Sequence, residues 1–243
     1  MKYLFTIVFL LVTKTLYAQE YMAAGRFDVR PSWEDATVYI PGKIFPTNTK
    51  AIELTAQTDV VVFMHGCTGI KGDEVAWAKF LNDLGYLVVL PNSLAIKGRV
   101  VNCSPSSFTT TNGSMSPADL FMIRAREFRY SFDQLRKNPS VGKIFLAGFS
   151  EGAATVHFYR GKGLFAGLIS ISSFCRGPVS APRDAPILTI DYEQDPYFPT
   201  KYLCEEKYGS HDSFTKVILD GGGHEAARNK KAEQAVKEFL SKN

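Results

Sequence analysis

The chain lacks the features that mark a nucleic-acid binder, a metal protein or a membrane-embedded one. Lys and Arg number 28 against 24 Asp and Glu, so no field of one sign is present to attract a polyanion. The one basic cluster, Arg228, Lys230 and Lys231, falls in a C-terminal helical pattern and reads as a solvated face, with no nucleic acid implied. The four cysteines, at positions 67, 103, 175 and 204, include no Cys-x-x-Cys spacing. An even set of that kind in an exported chain favours disulfides over metal ligation. No segment repeats at a fixed period, and the only compositionally biased stretch is the Ser-, Thr- and Asn-rich loop from Ser104 to Ser116.

The amino terminus carries the longest apolar stretch and explains its brevity. Met1-Lys2-Tyr3 precedes an apolar-rich core from Leu4 to Val12, then a polar gap and Leu16-Tyr17-Ala18. This is the pattern of a secretory signal peptide over residues 1–18, cut after the small residue Ala18. The core is too short to cross a bilayer, and no cysteine follows closely enough for lipid attachment. The expectation is an exported protein, periplasmic or secreted, with no stable membrane insertion once the signal is removed. Residues 19–243 then form one domain of about 225 residues with a net charge of about +2 and ample apolar content for a core. Nothing in this composition specifies an oligomeric state.

Along that domain, β-rich runs occur at Thr37–Ile40, Val60–Met64, Tyr86–Leu90, Lys143–Ala147, Leu164–Ile171, Ile187–Ile190 and Phe214–Leu219. Several are apolar without alternation, as expected of strands covered on both faces in a parallel sheet. Helical patterns lie between them. Asp73–Leu84 carries Val75, Ala76, Phe80, Leu81 and Leu84, Pro117–Leu135 is long and Arg-rich, and Ala226–Leu240 repeats Ala232, Val236, Phe239 and Leu240. Alternation of strand and helix gives the class α/β, and right-handed crossovers gather the functional loops at the carboxyl ends of the strands.

The most specific motif is Gly148-Phe149-Ser150-Glu151-Gly152, directly behind the apolar run 143–147 and ahead of the helix-permissive Ala153-Ala154-Thr155-Val156-His157. A strand, sharp turn and helix around Gly-x-Ser-x-Gly is a nucleophile elbow, which raises the serine hydroxyl clear of the sheet. Serine is a weak nucleophile at neutral pH, so it requires a base and a group that orients the base. His224 follows the last strand through Asp220-Gly221-Gly222-Gly223 and is the expected base, with His211 as the alternative. His65 reads as a brace of the loop behind Val61-Val62-Phe63-Met64, and His157 as packed or solvated. The acid is expected after the strand at 187–190, where Asp195 is favoured because Pro196 fixes a turn behind it, with Asp191 next and Glu193 as a helper or solvated group. Oxyanion donors are expected from the N–H groups of Glu151 and Cys67, the latter in His65-Gly66-Cys67-Thr68-Gly69. Phe149, Phe174 and Tyr197, with Tyr192 and Phe198, are candidates to shape the substrate pocket.

Taken in order, His65-Gly66-Cys67-Thr68-Gly69, Gly85-Tyr86-Leu87-Val88-Val89-Leu90-Pro91-Asn92-Ser93, Gly148-Phe149-Ser150-Glu151-Gly152, Asp195-Pro196-Tyr197 and Gly223-His224 resemble the dienelactone hydrolase family of α/β-hydrolases, in its secreted, serine-bearing branch. The resemblance implies a single three-layer domain of the α/β-hydrolase fold, a mostly parallel sheet with helices on both faces. It implies no metal and no organic cofactor, and hydrolysis of small esters or lactones by Ser150, Asp195 and His224. Dienelactone hydrolases proper carry cysteine where this chain has Ser150, so a general carboxylesterase is the better expectation than cleavage of dienelactone. The family-like pattern also suggests the pairings Cys67–Cys103 and Cys175–Cys204. Two other classes remain open on sequence alone: a serine peptidase of the same fold, and a noncatalytic envelope binding protein.

Overall fold

A computed structural model describes residues 27–99, 101, 103, 117–157, 159, 164–173, 182, 185–198 and 213–243. The signal-peptide segment, the biased loop at 104–116, and Phe174, Cys175, Cys204 and His211 lie outside the described residues. Among those described, seven strands form one sheet: β1 (Thr37–Tyr39), β2 (Thr58–Met64), β3 (Leu87–Leu90), β4 (Val141–Phe149), β5 (Leu168–Ile171), β6 (Ile187–Tyr192) and β7 (Phe214–Leu219). Their spatial order is β1-β3-β2-β4-β5-β6-β7. Only β1, at the edge, runs antiparallel to its neighbour, and the other pairs are parallel.

Strand β2 shows why a parallel sheet fits this sequence. Val60, Val62 and Met64 join one buried cluster, while Val61 and Phe63 join another on the opposite face. Every residue of the run therefore needs an apolar side chain, which is why no polar alternation is visible. On one face lies α3 (Pro117–Leu135), which packs Phe128, Phe132 and Leu135 against the sheet. On the other lie α2 (Gly72–Asp83) and α5 (Lys230–Lys242), which contribute Trp77, Ala78, Leu81, Val236, Phe239 and Leu240. Truncating a fully buried aromatic of this core, such as Phe63 or Phe145, to alanine would cost about 3–5 kcal/mol. Among the described residues, the short helices α1 (Arg30–Glu34) and α4 (Glu151–His157) complete the set of α-helices.

Four sequence expectations are corrected. The strand expected over 164–171 begins at Leu168, because Phe165 turns aside to meet Phe128, Phe132 and Tyr159 edge-on. The terminal helix starts at Lys230 and not Ala226, with the Asn229 side chain accepting from the N–H groups of Lys231 and Ala232 as its cap. Helix α2 turns Glu74, Trp77, Ala78 and Leu81 inward, a stripe rotated from the expected one, while Val75, Ala76, Phe80 and Leu84 are only half-buried. Asp191 belongs to β6 and not to the loop beyond it.

Candidate active site

The parallel strands β2, β4, β6 and β7 carry the candidate residues at or just past their carboxyl ends. Ser150 follows β4 and opens α4 with φ 55°, a left-handed conformation that costs a non-glycine residue about 1 kcal/mol or more and is held by its surroundings. Its N–H donates to the Ile171 carbonyl at 2.9 Å, and its own carbonyl accepts from Ala154 N–H at 3.0 Å to begin the helix. The flanking glycines are required by contact. A Cβ at Gly148 would enter the backbone of Gly152, and one at Gly152 would enter the carbonyl of Met64. Helix and strand thus approach closely enough to lift the serine into a tight turn.

Ser150, His224 and Asp195 form one hydrogen-bonded chain. His224 Nε2 lies 2.9 Å from Ser150 Oγ, and His224 Nδ1 lies 2.7 Å from Asp195 Oδ2. The carboxylate accepts at Nδ1–H, which leaves the Nε2 lone pair for the serine hydroxyl. Asp195 is itself aimed by backbone: its Oδ1 accepts from Tyr197 N–H at 2.7 Å and Phe198 N–H at 3.0 Å. The turn expected from Asp195-Pro196 has this form. Rings of Phe149, Tyr197 and Phe198 surround the imidazole, with centroids 5.0, 4.6 and 5.5 Å away. Tyr197 is 42% exposed, whereas Phe149 and Phe198 are buried, so Tyr197 alone of the three offers a broad face to an incoming molecule.

Asp191 points elsewhere. Its Oδ1 accepts from Ser173 N–H at 3.1 Å, and burial, with Asp195 nearby, pushes its carboxyl up to about 7. The Glu193 side chain is exposed, and its N–H donates to the Leu219 carbonyl. His157 is buried with Nε2 2.9 Å from Ser170 Oγ, and burial brings its imidazole down to about 3.

The loop behind β2 is held at successive atoms. His65 Nε2 accepts from Ser93 N–H at 2.9 Å, so the ring proton is on Nδ1, which donates to the Gly66 carbonyl at 2.6 Å. Burial, reinforced by Arg124, keeps this imidazole neutral well below its usual range. The Gly66 carbonyl belongs to the same peptide unit as Cys67 N–H, so His65 both braces the loop and polarises that peptide. Glu74 Oε1 accepts from Gly66 N–H at 2.9 Å, and its Oε2 from Lys71 N–H at 3.1 Å. Cys67 is joined to Cys103 by a disulfide.

Two carboxylates at the start of α2 were not singled out in the sequence. Glu74 ties the loop behind β2, and Asp73 ties the loop of His224, because its Oδ1 accepts from Ala227 N–H at 2.8 Å. Burial raises the Asp73 carboxyl to about 6. Acids in a first helical turn ordinarily serve the helix dipole from solvent. The signal that separates this pair is their position immediately after a glycine-rich loop and at the head of an inward stripe continuing through Trp77 and Leu81.

Comparison of the sequence with family models and with curated proteins returns no match. Solved structures do match. A lidless α/β serine hydrolase of Xanthomonas campestris superposes with a TM-score of 0.58 at 18% identity, over 85% of this chain and 88% of that one. Est1E of Butyrivibrio proteoclasticus, solved with ferulic acid bound, gives 0.58 at 16% identity over 86% and 94%. An esterase of Pyrococcus furiosus gives 0.58 at 14% identity over 77% and 83%. The likeness is one of fold: the chain has the α/β-hydrolase architecture.

Proposed function

We propose that this protein is a serine hydrolase of the dienelactone hydrolase type, acting as a carboxylesterase on small ester or lactone substrates through an acyl-enzyme on Ser150. The observation that carries the reading is the hydrogen-bonded chain Ser150–His224–Asp195 at a strand-to-helix turn with φ 55°. Ser150 Oγ attacks the ester carbonyl while His224 Nε2 accepts its proton. The oxyanion is held by the N–H groups of Cys67 and Glu151. Collapse breaks the bond to the leaving oxygen, which takes the proton from His224. Water then attacks the acyl-enzyme with His224 again as base, releasing the acid and restoring Ser150. Asp195, hydrogen-bonded to Nδ1, keeps the imidazole in its productive tautomer throughout. No metal or organic cofactor enters this chemistry.

Neighbours of the same fold that are named esterases, one of them solved with an aromatic acid bound, favour ester over peptide substrates. Tyr197 and Phe149 flank the imidazole that protonates the leaving group, which suits apolar or aryl alcohol portions. The Cys67–Cys103 disulfide supports export to an oxidising compartment, and the signal-peptide pattern at 1–18 supports the same destination.

Turnover of p-nitrophenyl acetate and butyrate, set beside a peptide p-nitroanilide series, tests the reading. Rapid ester hydrolysis with negligible amide cleavage is expected. Preferential cleavage of the amides would make the protein a peptidase, and inactivity of folded protein on every substrate would leave a binding protein.

A further inference from the structure

We propose that Arg99 and Arg124 are positioning residues that clamp the two oxyanion-donor segments together and neutralise the carboxylate carried by one of them; this rests on the serine hydrolase reading. The two donors come from different loops, Cys67 behind β2 and Glu151 at the head of α4. Both N–H groups must reach one oxygen, and a misplacement of about 1 Å can cost on the order of 100-fold in rate. Backbone packing brings the segments near each other through Gly152. Two guanidinium groups then span the join.

Arg124, fully buried on α3, donates from Nη2 to the His65 carbonyl. Its Nε lies 3.5 Å from Glu151 Oε1, and its Nη1 donates to Glu127 Oε2 at 3.1 Å. One side chain therefore touches both donor segments. Arg99 donates from Nη2 to the same Glu151 Oε1 at 2.5 Å, with both side chains almost wholly buried. Its Nε donates to Ser93 Oγ at 3.3 Å, and Ser93 N–H is the group that sets the His65 tautomer. Four residues beyond Arg99, Cys103 closes the disulfide to Cys67. Glu127 accepts from Ser32 Oγ at 2.5 Å and anchors Arg124 in turn.

The charges explain why the arrangement is needed. A bare carboxylate on Glu151, the residue whose N–H would bind the oxyanion, repels the negative charge that develops in the transition state. Its pairing with two arginines removes that opposition and fixes the residue at the same time. A packing role alone has no such electrostatic consequence.

The test uses the full chain, with concentrations set by fluorophosphonate titration so that only folded sites are counted. The clamp predicts that Arg99→Met lowers kcat on p-nitrophenyl acetate about 10- to 100-fold while KM changes less than about threefold. It also predicts that affinity for phenylboronic acid, which binds as an anionic tetrahedral adduct, falls by a similar factor. Arg99→Met combined with Glu151→Gln, which restores charge balance, should recover about twofold or more of the lost kcat yet stay about fivefold below wild type. Wild-type kcat and boronate affinity in Arg99→Met, or a double variant no better than the single, would overturn the clamp. If the single variant does not fold, a double variant within about twofold of wild type overturns it and one about fivefold or more below supports it. A wild-type protein that neither labels nor turns over would remove the hydrolase reading and the clamp together; normal activity in Arg99→Met removes the clamp alone.

Discussion

The two halves of the site are held by different physical means. On the β2 and β4 side, the loop behind β2 and the elbow are fastened by buried side chains: Glu74 on Gly66 N–H, His65 on the Gly66 carbonyl, Arg124 on the His65 carbonyl, Arg99 on Glu151, and a disulfide at Cys67. On the β6 and β7 side, Asp195 is aimed by two backbone N–H groups, and the His224 loop is held by bonds from Ala227 N–H to Asp73, from the Tyr192 hydroxyl to the Glu225 carbonyl and from Gln194 N–H to the Gly221 carbonyl. The His224 side chain is 15% exposed and Asp195 is 2% exposed. The difference suits the proposed chemistry. Oxyanion donors gain by standing still, since reorganising them during reaction wastes their electrostatic advantage, whereas in the proposed mechanism His224 addresses the serine, the leaving oxygen and water in turn.

Breaking the His224 half at its chemistry should have the largest effect. His224→Ala is expected to lower kcat by about 10⁴-fold, and Asp195→Asn by about 10³–10⁴-fold. The amide at 195 would leave a donor facing Nδ1 and so favour the wrong imidazole tautomer. Steady-state turnover on p-nitrophenyl butyrate by titrated enzyme measures both. The β2 and β4 half should respond more moderately and in a different way. Glu74→Met, which removes both acceptor oxygens, is expected to lower kcat about 10- to 100-fold with little change in KM, because a mis-set Gly66 displaces the donor without removing it. Melting of the same variant should show a loss of about 1–3 kcal/mol for the buried N–H left unpaired. Back in the His224 half, Tyr197→Ala should lower kcat/KM for phenyl acetate about 3- to 10-fold more than for ethyl acetate. Equal losses on both esters would remove Tyr197 from the leaving-group side.

The smallest effect on rate separates the two aspartates of β6 and its loop. Asp191→Asn should change turnover by less than about twofold, since its partner is Ser173 N–H and not His224. Its effect is on stability. The unfolded chain releases the Asp191 proton near pH 4, whereas the native state holds it up to about 7. The stability contributed by that proton is present below about pH 4 and lost as pH rises to about 7. Above that range the ionised group weakens the fold by about 2–4 kcal/mol, so Asp191→Asn should raise stability at pH 8 and flatten that part of the profile. Urea denaturation at pH 4, 6 and 8 reads this directly.

Much of this architecture is legible in the sequence because it depends on local rules. Doubly covered strands need unbroken apolar runs, which marked β2 and β3. The elbow needs Gly148 and Gly152 at contact distance from backbone, and Asp195-Pro196 announces its own turn. What escaped was long-range. Nothing in the sequence marks Glu74 until Gly66 is seen against it, and Arg124 is one among the arginines of the Arg-rich α3 until its burial against His65 and Glu151 is known. The rotated stripe of α2 has the same cause: hydrophobic counting assigned Val75, Ala76, Phe80 and Leu84 to the core, while the polar tethers of Asp73 and Glu74 turned Trp77 and Ala78 inward instead. A buried charge has no signature in sequence apart from its partners, and these partners lie on other elements.

The measurement that bears most directly on the central claim is the intact mass of the mature protein after reaction with a fluorophosphonate probe, beside Ser150→Ala, with p-nitrophenyl acetate turnover recorded on both. The account predicts one adduct per chain in the wild type, no adduct in Ser150→Ala, and turnover lost with it. A folded wild-type protein that takes up no probe and hydrolyses no ester, or a Ser150→Ala variant that retains both properties, would contradict it.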